Sequence, residues 1–205
     1  MARPRKPLLS RERIVETAGA LVDAEGLEAV STRRLAAELG VSGPSLYNHF
    51  RTKGEILDAV ADRVSARIDL SMFAPDDGRE WAAALHDWAL SYRAALTAHP
   101  HIVPVLARGP GRRPAGLRAA DAVFDAMARA GWPPAEAARI GALLGYFVTG
   151  SALGSAAGPG SVPAEEAYGS RPGRERPEAT DEGAFATGLR AILDGLAVRY
   201  AAVRR

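Results

Sequence analysis

The sequence predicts an all-α protein: a three-helix helix-turn-helix unit at the N-terminus, followed by a larger helical bundle. Three observations predict it. Apolar residues recur at spacings of three and four along most of the chain, as in Ile56, Leu57, Val60, Val64 and Ile68. Helix-starting and helix-stopping residues bracket those runs. No stretch carries the two-residue alternation of a half-buried strand.

Taken in order, residues 1 to 9 read as a flexible basic arm. Ser10 caps the first helix, and Leu9 with Ile14 can close a hydrophobic staple around its start. Ile14, Ala18, Leu21 and Val22 form its apolar stripe, and Gly26 ends it. Leu27 and Val30 then lead into Ser31 to Lys53, STRRLAAELGVSGPSLYNHFRTK. That stretch reads as a helix carrying Leu35, Ala36 and Leu39, a corner at Gly40 and a second helix over Pro44 to His49. Val41 is a buried hinge, Ser42 or Gly43 can cap, and Pro44 suits a first helical position because it has no N–H to leave unpaired. A helix of about two turns is too short to stand alone. Most of its side chains are polar, with Leu46 and Phe50 as inward anchors. A short polar helix propped after a glycine turn suits reading the DNA major groove.

Thr52-Lys53-Gly54-Glu55 reads as a capping box opening a fourth helix that keeps its apolar period to about Leu70. Trp81, Leu85, Trp88, Ala89, Tyr92 and Leu96 mark another helix, ending before His99-Pro100. Prolines 100, 104, 110 and 114 break the chain, leaving room for a short helix near Ile102 to Ala107. Leu117 to Ala130 is helical again and closes at Gly131, and Pro133-Pro134 opens the next helix, to Ala157. Its glycines and alanines would let another helix approach closely. Residues 158 to 180 read as a flexible loop of Pro, Gly, Ser and charge. Glu182 to Val203 forms the last helix.

Leu46, Tyr47, His49, Phe50 and Lys53 form a Leu-Tyr-x-His-Phe-x-x-Lys pattern, preceded by Thr32, Arg33 and Leu35. These residues resemble the signature of the tetracycline-repressor (TetR-like) family. From Trp81 onward the chain also resembles that family's tetracycline-repressor subgroup, through an Ala-Gly-Trp turn, a Gly-Tyr-Phe-x-x-Gly segment and Phe185, Gly188 and Leu189. The resemblance implies a DNA-binding unit at residues 1–53 and an effector-binding and dimerisation unit at residues 54–205. It implies a homodimer joined by a four-helix bundle of the last two long helices, bound to double-stranded DNA at a palindromic operator. Two reading helices ~34–36 Å apart would address successive major grooves, and a small-molecule effector that prefers another spacing would release them.

By that resemblance Arg33, Pro44, Ser45 and Asn48 are candidates for base contacts, with Gly43 where the tetracycline repressors carry a longer base reader. Thr32, Tyr47, His49 and Lys53 are candidates for phosphate contacts. Arg33 suits guanine, Asn48 adenine, and Pro44 or Ser45 a thymine methyl. For the effector pocket the candidates are Trp88, Tyr92, Leu106, Val123, Phe124, Met127, Leu144 and Phe147. The tetracycline repressors hold a magnesium–drug complex through His, Thr and Glu. The matching places here carry Leu106, Gly109 and Gly154, so an apolar or aromatic effector without metal or cofactor is the expectation.

The remaining composition narrows the classes. With no cysteine, thiolate sites and disulfides are excluded. The net charge is only +2, but Arg3, Arg5, Lys6, Arg11 and Arg13 gather beside the helix-turn-helix against Glu12 alone, as phosphate binding requires. There is no signal peptide and no membrane-spanning apolar run, so the cytoplasm is expected. His86-Asp87 and His99-x-His101 do not share a helix face, and no phosphate-binding glycine loop is present, so an enzyme is not expected. An architectural DNA binder without a ligand is the other alternative.

Overall fold

The computed structural model describes residues 9–156 and 177–204, and all regular structure among them is helical. The N-terminal arm, up to residue 8, lies outside the described residues. The first four helices are α1 (Arg11–Glu25), α2 (Thr32–Leu39), α3 (Gly43–Tyr47) and α4 (Lys53–Ser65). They are followed by α5 (Trp81–Thr97), α6 (Val103–Leu106), α7 (Pro114–Arg129), α8 (Pro134–Ala156) and α9 (Pro177–Val203). Short 3-10 turns precede α2, α5 and α6.

The starts of the first helices are built by side chains. Ser10 Oγ accepts from Arg13 N, Ser31 Oγ from Arg34 N, and Thr52 Oγ1 from Glu55 N. Each satisfies an amide that the helix cannot. The box at α4 is offset by one residue, because Glu55 Oε2 accepts from Arg51 N rather than from the cap itself. Gly40 makes the corner between α2 and α3 in the left-handed region, φ 66° and ψ 35°. There Val41 N donates to Ala36 O and Gly40 N to Ala37 O, closing the end of α2 as a Schellman motif. Val41 itself is half-buried.

Several boundaries differ from the sequence-based expectation. Helix α4 stops at Ser65 rather than near Leu70. Arg67 N then bonds Val64 O and Ile68 N bonds Ser65 O, a tightening turn that keeps Ile68 buried and so prolongs the apolar period beyond the helix. Helix α3 ends at Tyr47, leaving Asn48 and His49 in the turn after it. Helix α7 begins at Pro114, three residues early, and α9 begins at Pro177. Residues 177–180 of the expected loop are therefore helical, and residues 158–176 of it lie outside the described residues.

One buried apolar core runs through the molecule from Ile14 to Leu196. Helix α4 packs on α1 on one side and on α5, α6 and α7 on the other, and α8 is packed by α5, α6, α7 and α9. Arg93 on α5 ties the start of α9, pairing with Asp181 at 2.7 Å and lying 4.4 Å over the Phe185 ring. Burial pushes the Asp181 carboxyl up, but its bonds from Ser155 and Arg93 outweigh this and hold it below the usual carboxylate range. At the other end of α9 the Tyr200 ring stacks with Trp81 and Trp132, and its hydroxyl donates to Ala130 O.

The small residues of α8 and α9 act differently from one another. A Cβ on Gly188 would sit 2.8 Å from the Phe147 ring, which is itself stacked on Phe185 at 5.2 Å. Gly145, Gly150 and Gly154 face open space instead of a neighbouring helix. Gly188→Ala should therefore destabilise the protein by about 1–2 kcal/mol, because overpacking of about 1–3 kcal/mol outweighs a helix-propensity gain of up to about 1 kcal/mol. Gly183→Ala on the same helix meets nothing within 4 Å and should be neutral or stabilising. Denaturant unfolding of both variants checks the contrast.

Candidate nucleic-acid interface and ligand cavity

Helix α3 is five residues long, so its position is set by what it touches. Leu46 and Phe50 are buried, which turns the other side of the segment outward. Tyr47 is 55% exposed, Pro44 and Asn48 are exposed, and Gly43, Ser45 and His49 are partly covered. Arg33 is exposed on α2, Thr32 half-exposed at its start, and Lys53 half-exposed at the start of α4. All nine candidate DNA contacts thus keep at least part of their surface exposed, on α3, the turn after it and the starts of α2 and α4.

Charge pairing sorts the cations on that surface. Arg34 is engaged by Glu25 and Glu38, each at 3.0 Å, whereas Arg33 has no ion pair among the described residues. Lys53 reaches Glu28 at 3.5 Å. Glu28 is almost fully exposed, so that pair is weak and leaves the ammonium free to exchange partners. Ser42 and Ser45 share a hydroxyl–hydroxyl bond at 2.7 Å, which orients Ser45 at the start of the reading helix.

Arg11 behaves otherwise than its place in the basic arm suggests. Its guanidinium donates to His49 O at 2.7 Å and lies 3.9 Å over the Phe50 ring. A cation there satisfies a carbonyl just past the end of α3 and clamps that end to α1. In the sequence Arg11 counts only among the basic charge gathered beside the helix-turn-helix; in the structure it also braces the end of α3. The only signal in the sequence was an arginine at the first position of α1, which is not distinctive.

A cavity of about 610 Å³ lies between α4, α5, α7 and α8 and the α6–α7 connection. Trp88, Tyr92, Leu106, Val123 and Phe124 line it. Met127, Leu144 and Phe147 do not: Met127 and Leu144 are fully buried in the core, and Phe147 is taken up by Phe185. Most of the α8 wall is instead small residues, Ala137, Ala138, Gly141, Ala142, Gly145 and Gly150, joined by Tyr146, Thr149 and Leu153. Those small side chains are what leave the volume open. Arg113 also lines it, a buried charge that sequence reading placed in a solvated break. Tyr92 and Thr149 share a hydroxyl–hydroxyl bond at 3.1 Å on the same wall.

Two family models divide the chain between them. "Bacterial regulatory proteins, tetR family" matches residues 14–60, and "Tetracyclin repressor-like, C-terminal domain" matches residues 74–180. The chain belongs to the TetR family. The tetracycline repressor protein class A from transposon 1721 of Escherichia coli is 33% identical over 202 residues, covering 93% of this chain and 92% of that one. The class C repressor of Escherichia coli is 35% identical over 147 residues, 71% of this chain. The chain spans 65% of that relative, somewhat less than two thirds of its length. Among solved structures, the TetR family protein ActR of Streptomyces coelicolor in complex with actinorhodin superposes with a TM-score of 0.79 at 28% identity, covering 95% of this chain and 99% of that one.

Within this TetR-family chain His99 and His101 are engaged in structural contacts. His99 Nδ1 lies 2.9 Å from an Asp23 carboxylate oxygen, and His101 Nδ1 lies 2.9 Å from Val22 O. Both bind the end of α1 to the turn before α6. His86 lies beside Asp87 on the surface. No group of metal-ligating side chains is assembled among the described residues. No described helix is long and apolar enough to cross a membrane.

Arg11→Ala should lower stability by about 1–2 kcal/mol through the lost clamp. It should also weaken DNA binding at every sequence alike. Melting curves and binding isotherms on several duplexes check both halves of that expectation.

Proposed function

We propose that the protein is a transcriptional regulator, of the repressor kind, that binds a palindromic operator as a homodimer and leaves it when a small apolar or aromatic ligand fills the cavity. The observation that carries the reading is the position of α4. It packs on α1 of the DNA-reading unit and also on the α6 and α7 elements around the cavity, so neither region moves without it. Residues 1–53 would read DNA, and residues 54–205 would bind the effector and the second subunit.

A second subunit is supported by the surface of α8 and α9. Tyr146 is 78% and Val198 74% exposed, alongside Leu143, Leu153 and Val203. Exposed apolar residues clustered on two long helices suit an isologous contact. Tyr146 and Leu153 also line the cavity, so a partner on that face would help to close it. One α3 touches too few bases for specific binding, whereas a pair of them reads two half-sites.

In this reading Arg33, Pro44, Ser45 and Asn48 contact bases, with Gly43 allowing close approach. Thr32, Tyr47, His49 and Lys53 hold phosphates. Trp88, Tyr92, Leu106, Val123 and Phe124 receive the ligand, in keeping with the relatives' names, tetracycline repressor and an actinorhodin-bound regulator. His99 and His101 are committed to Asp23 and the Val22 carbonyl, so neither is offered as a catalytic group.

Selection of bound duplexes from a random pool tests the proposal, and a palindromic consensus is expected. On that consensus, Asn48→Ala should relax preference at one position per half-site, a loss of about 1–3 kcal/mol of discrimination there. Lys53→Ala should weaken binding at all sequences and shallow the log–log salt slope by about 1 per subunit. Uniform loss on Asn48→Ala would remove it from the base readers, and recovery of no consensus would contradict the proposal.

A further inference from the structure

The cavity wall holds two buried donors with no acceptor. Trp88 Nε1 and Arg113 Nε have no hydrogen-bond partner among the described residues, and their residues are 4% and 6% exposed. Buried polar hydrogens are almost always paired, and leaving one unpaired is costly. Ser65 Oγ donates to Ala61 O, and the Thr149 hydroxyl shares a bond with that of Tyr92. The lining also includes Asp121, which is exposed. Among the described residues lining the cavity Arg113 is the one cation, and its charge is permanent.

Arg113 has three partners. It donates to Val105 O at 3.3 Å, to Gly109 O, and to Asp58 Oδ1 at 3.3 Å. The first is a backbone carbonyl of α6 and the second one of the α6–α7 connection. Its counterion, Asp58, is on α4 and is 57% exposed at the side chain, against 7% for Arg113. A half-solvated carboxylate at that distance is a weak partner for a buried guanidinium. Four residues further along α4, Asp62 Oδ1 accepts from Ala115 N at 2.7 Å. The first turn of α7 is thus joined to α4 by two carboxylates, one of which is held by the residue at the cavity wall.

We propose that the cavity takes an aromatic ligand bearing an anionic oxygen, that Arg113 holds this oxygen, and that it does so in competition with Asp58 on α4. The ligand supplies Arg113 with an anionic acceptor, through a charge-assisted bond. The rings of Trp88, Tyr92 and Phe124 receive its aromatic body. As Arg113 turns to the ligand, Asp58 loses its partner, and of the two carboxylate links from α4 only that of Asp62 remains. The DNA-reading unit is thereby freed to move. The inference rests on the reading that this cavity is the effector site, and adds the ligand's charge and the residue that senses it.

The test uses the full chain and a pair of probes of matched shape, 2-naphthoate and the neutral 2-naphthamide, followed by calorimetry and tryptophan fluorescence at pH 7. The naphthoate should bind the unmodified chain about tenfold or more tightly than the naphthamide. Arg113→Gln should erase that preference while leaving naphthamide binding within a few-fold, and Arg113→Lys should restore part of it. Asp58→Asn, at an exposed position, should tighten naphthoate a few-fold without affecting naphthamide, which keeps the proposal testable even where Arg113→Gln fails to fold. Gly145→Phe fills the cavity and should abolish both. Equal binding of the two probes to the unmodified chain, or a preference untouched by Arg113→Gln and Asp58→Asn, overturns the role of Arg113 and leaves the cavity reading standing. Failure of both probes to bind, or binding that survives Gly145→Phe, overturns the cavity reading and this inference together.

Discussion

Ile56, Val60, Ala61 and Val64 are buried on α4, and the helix packs against α1 in front of it and the bundle behind it. Such burial is what holds the DNA-reading unit and the cavity in one body. At 13 residues, α4 is near the length at which an isolated helix is only marginally formed. Its straightness and position therefore come from its neighbours. A change in what α7 offers to Asp58 and Asp62 is felt at α1, because packed interiors shift as units rather than deform continuously.

The same logic holds on a smaller scale for α3. Five residues cannot sustain a helix, yet the reading surface has to be rigid to discriminate bases. Gly40 sets the angle of entry, Leu46 and Phe50 anchor the inner side, and Arg11 clamps the exit by reaching across from α1. Polar residues are then left facing outward by default. Arg34 is tied twice, whereas the neighbouring Arg33 has no ion pair among the described residues.

Much of this was legible in the sequence where the governing physics is local. The caps at Ser10 and Thr52 and the corner at Gly40 depend on residues within a few positions, and the structure has them where the sequence puts them. The end of α4 was not legible, because Ile68 stays buried in the turn that follows the helix. The cavity was only half legible. An apolar stripe reads the same whether it faces core or void, so Met127 and Leu144 were indistinguishable from Val123. What marks the void is the run of glycines and alanines on α8, which read equally well as a place for another helix. Arg113 sits among glycines and prolines in a stretch that reads as solvated loop, and its burial depends on α4, some fifty residues away.

The central claim is that one helix transmits the state of the cavity to the spacing of two reading helices. Because the chain has no cysteine, Ala37→Cys places a single spin label on an exposed position of α2 in each subunit, and pulsed electron paramagnetic resonance reads the distance between the two. The account predicts one inter-subunit distance that sharpens on operator DNA and moves to a different mean when a ligand that releases the operator is bound. An identical distance distribution in the DNA-bound and ligand-bound protein, or no inter-subunit distance at all, would contradict it.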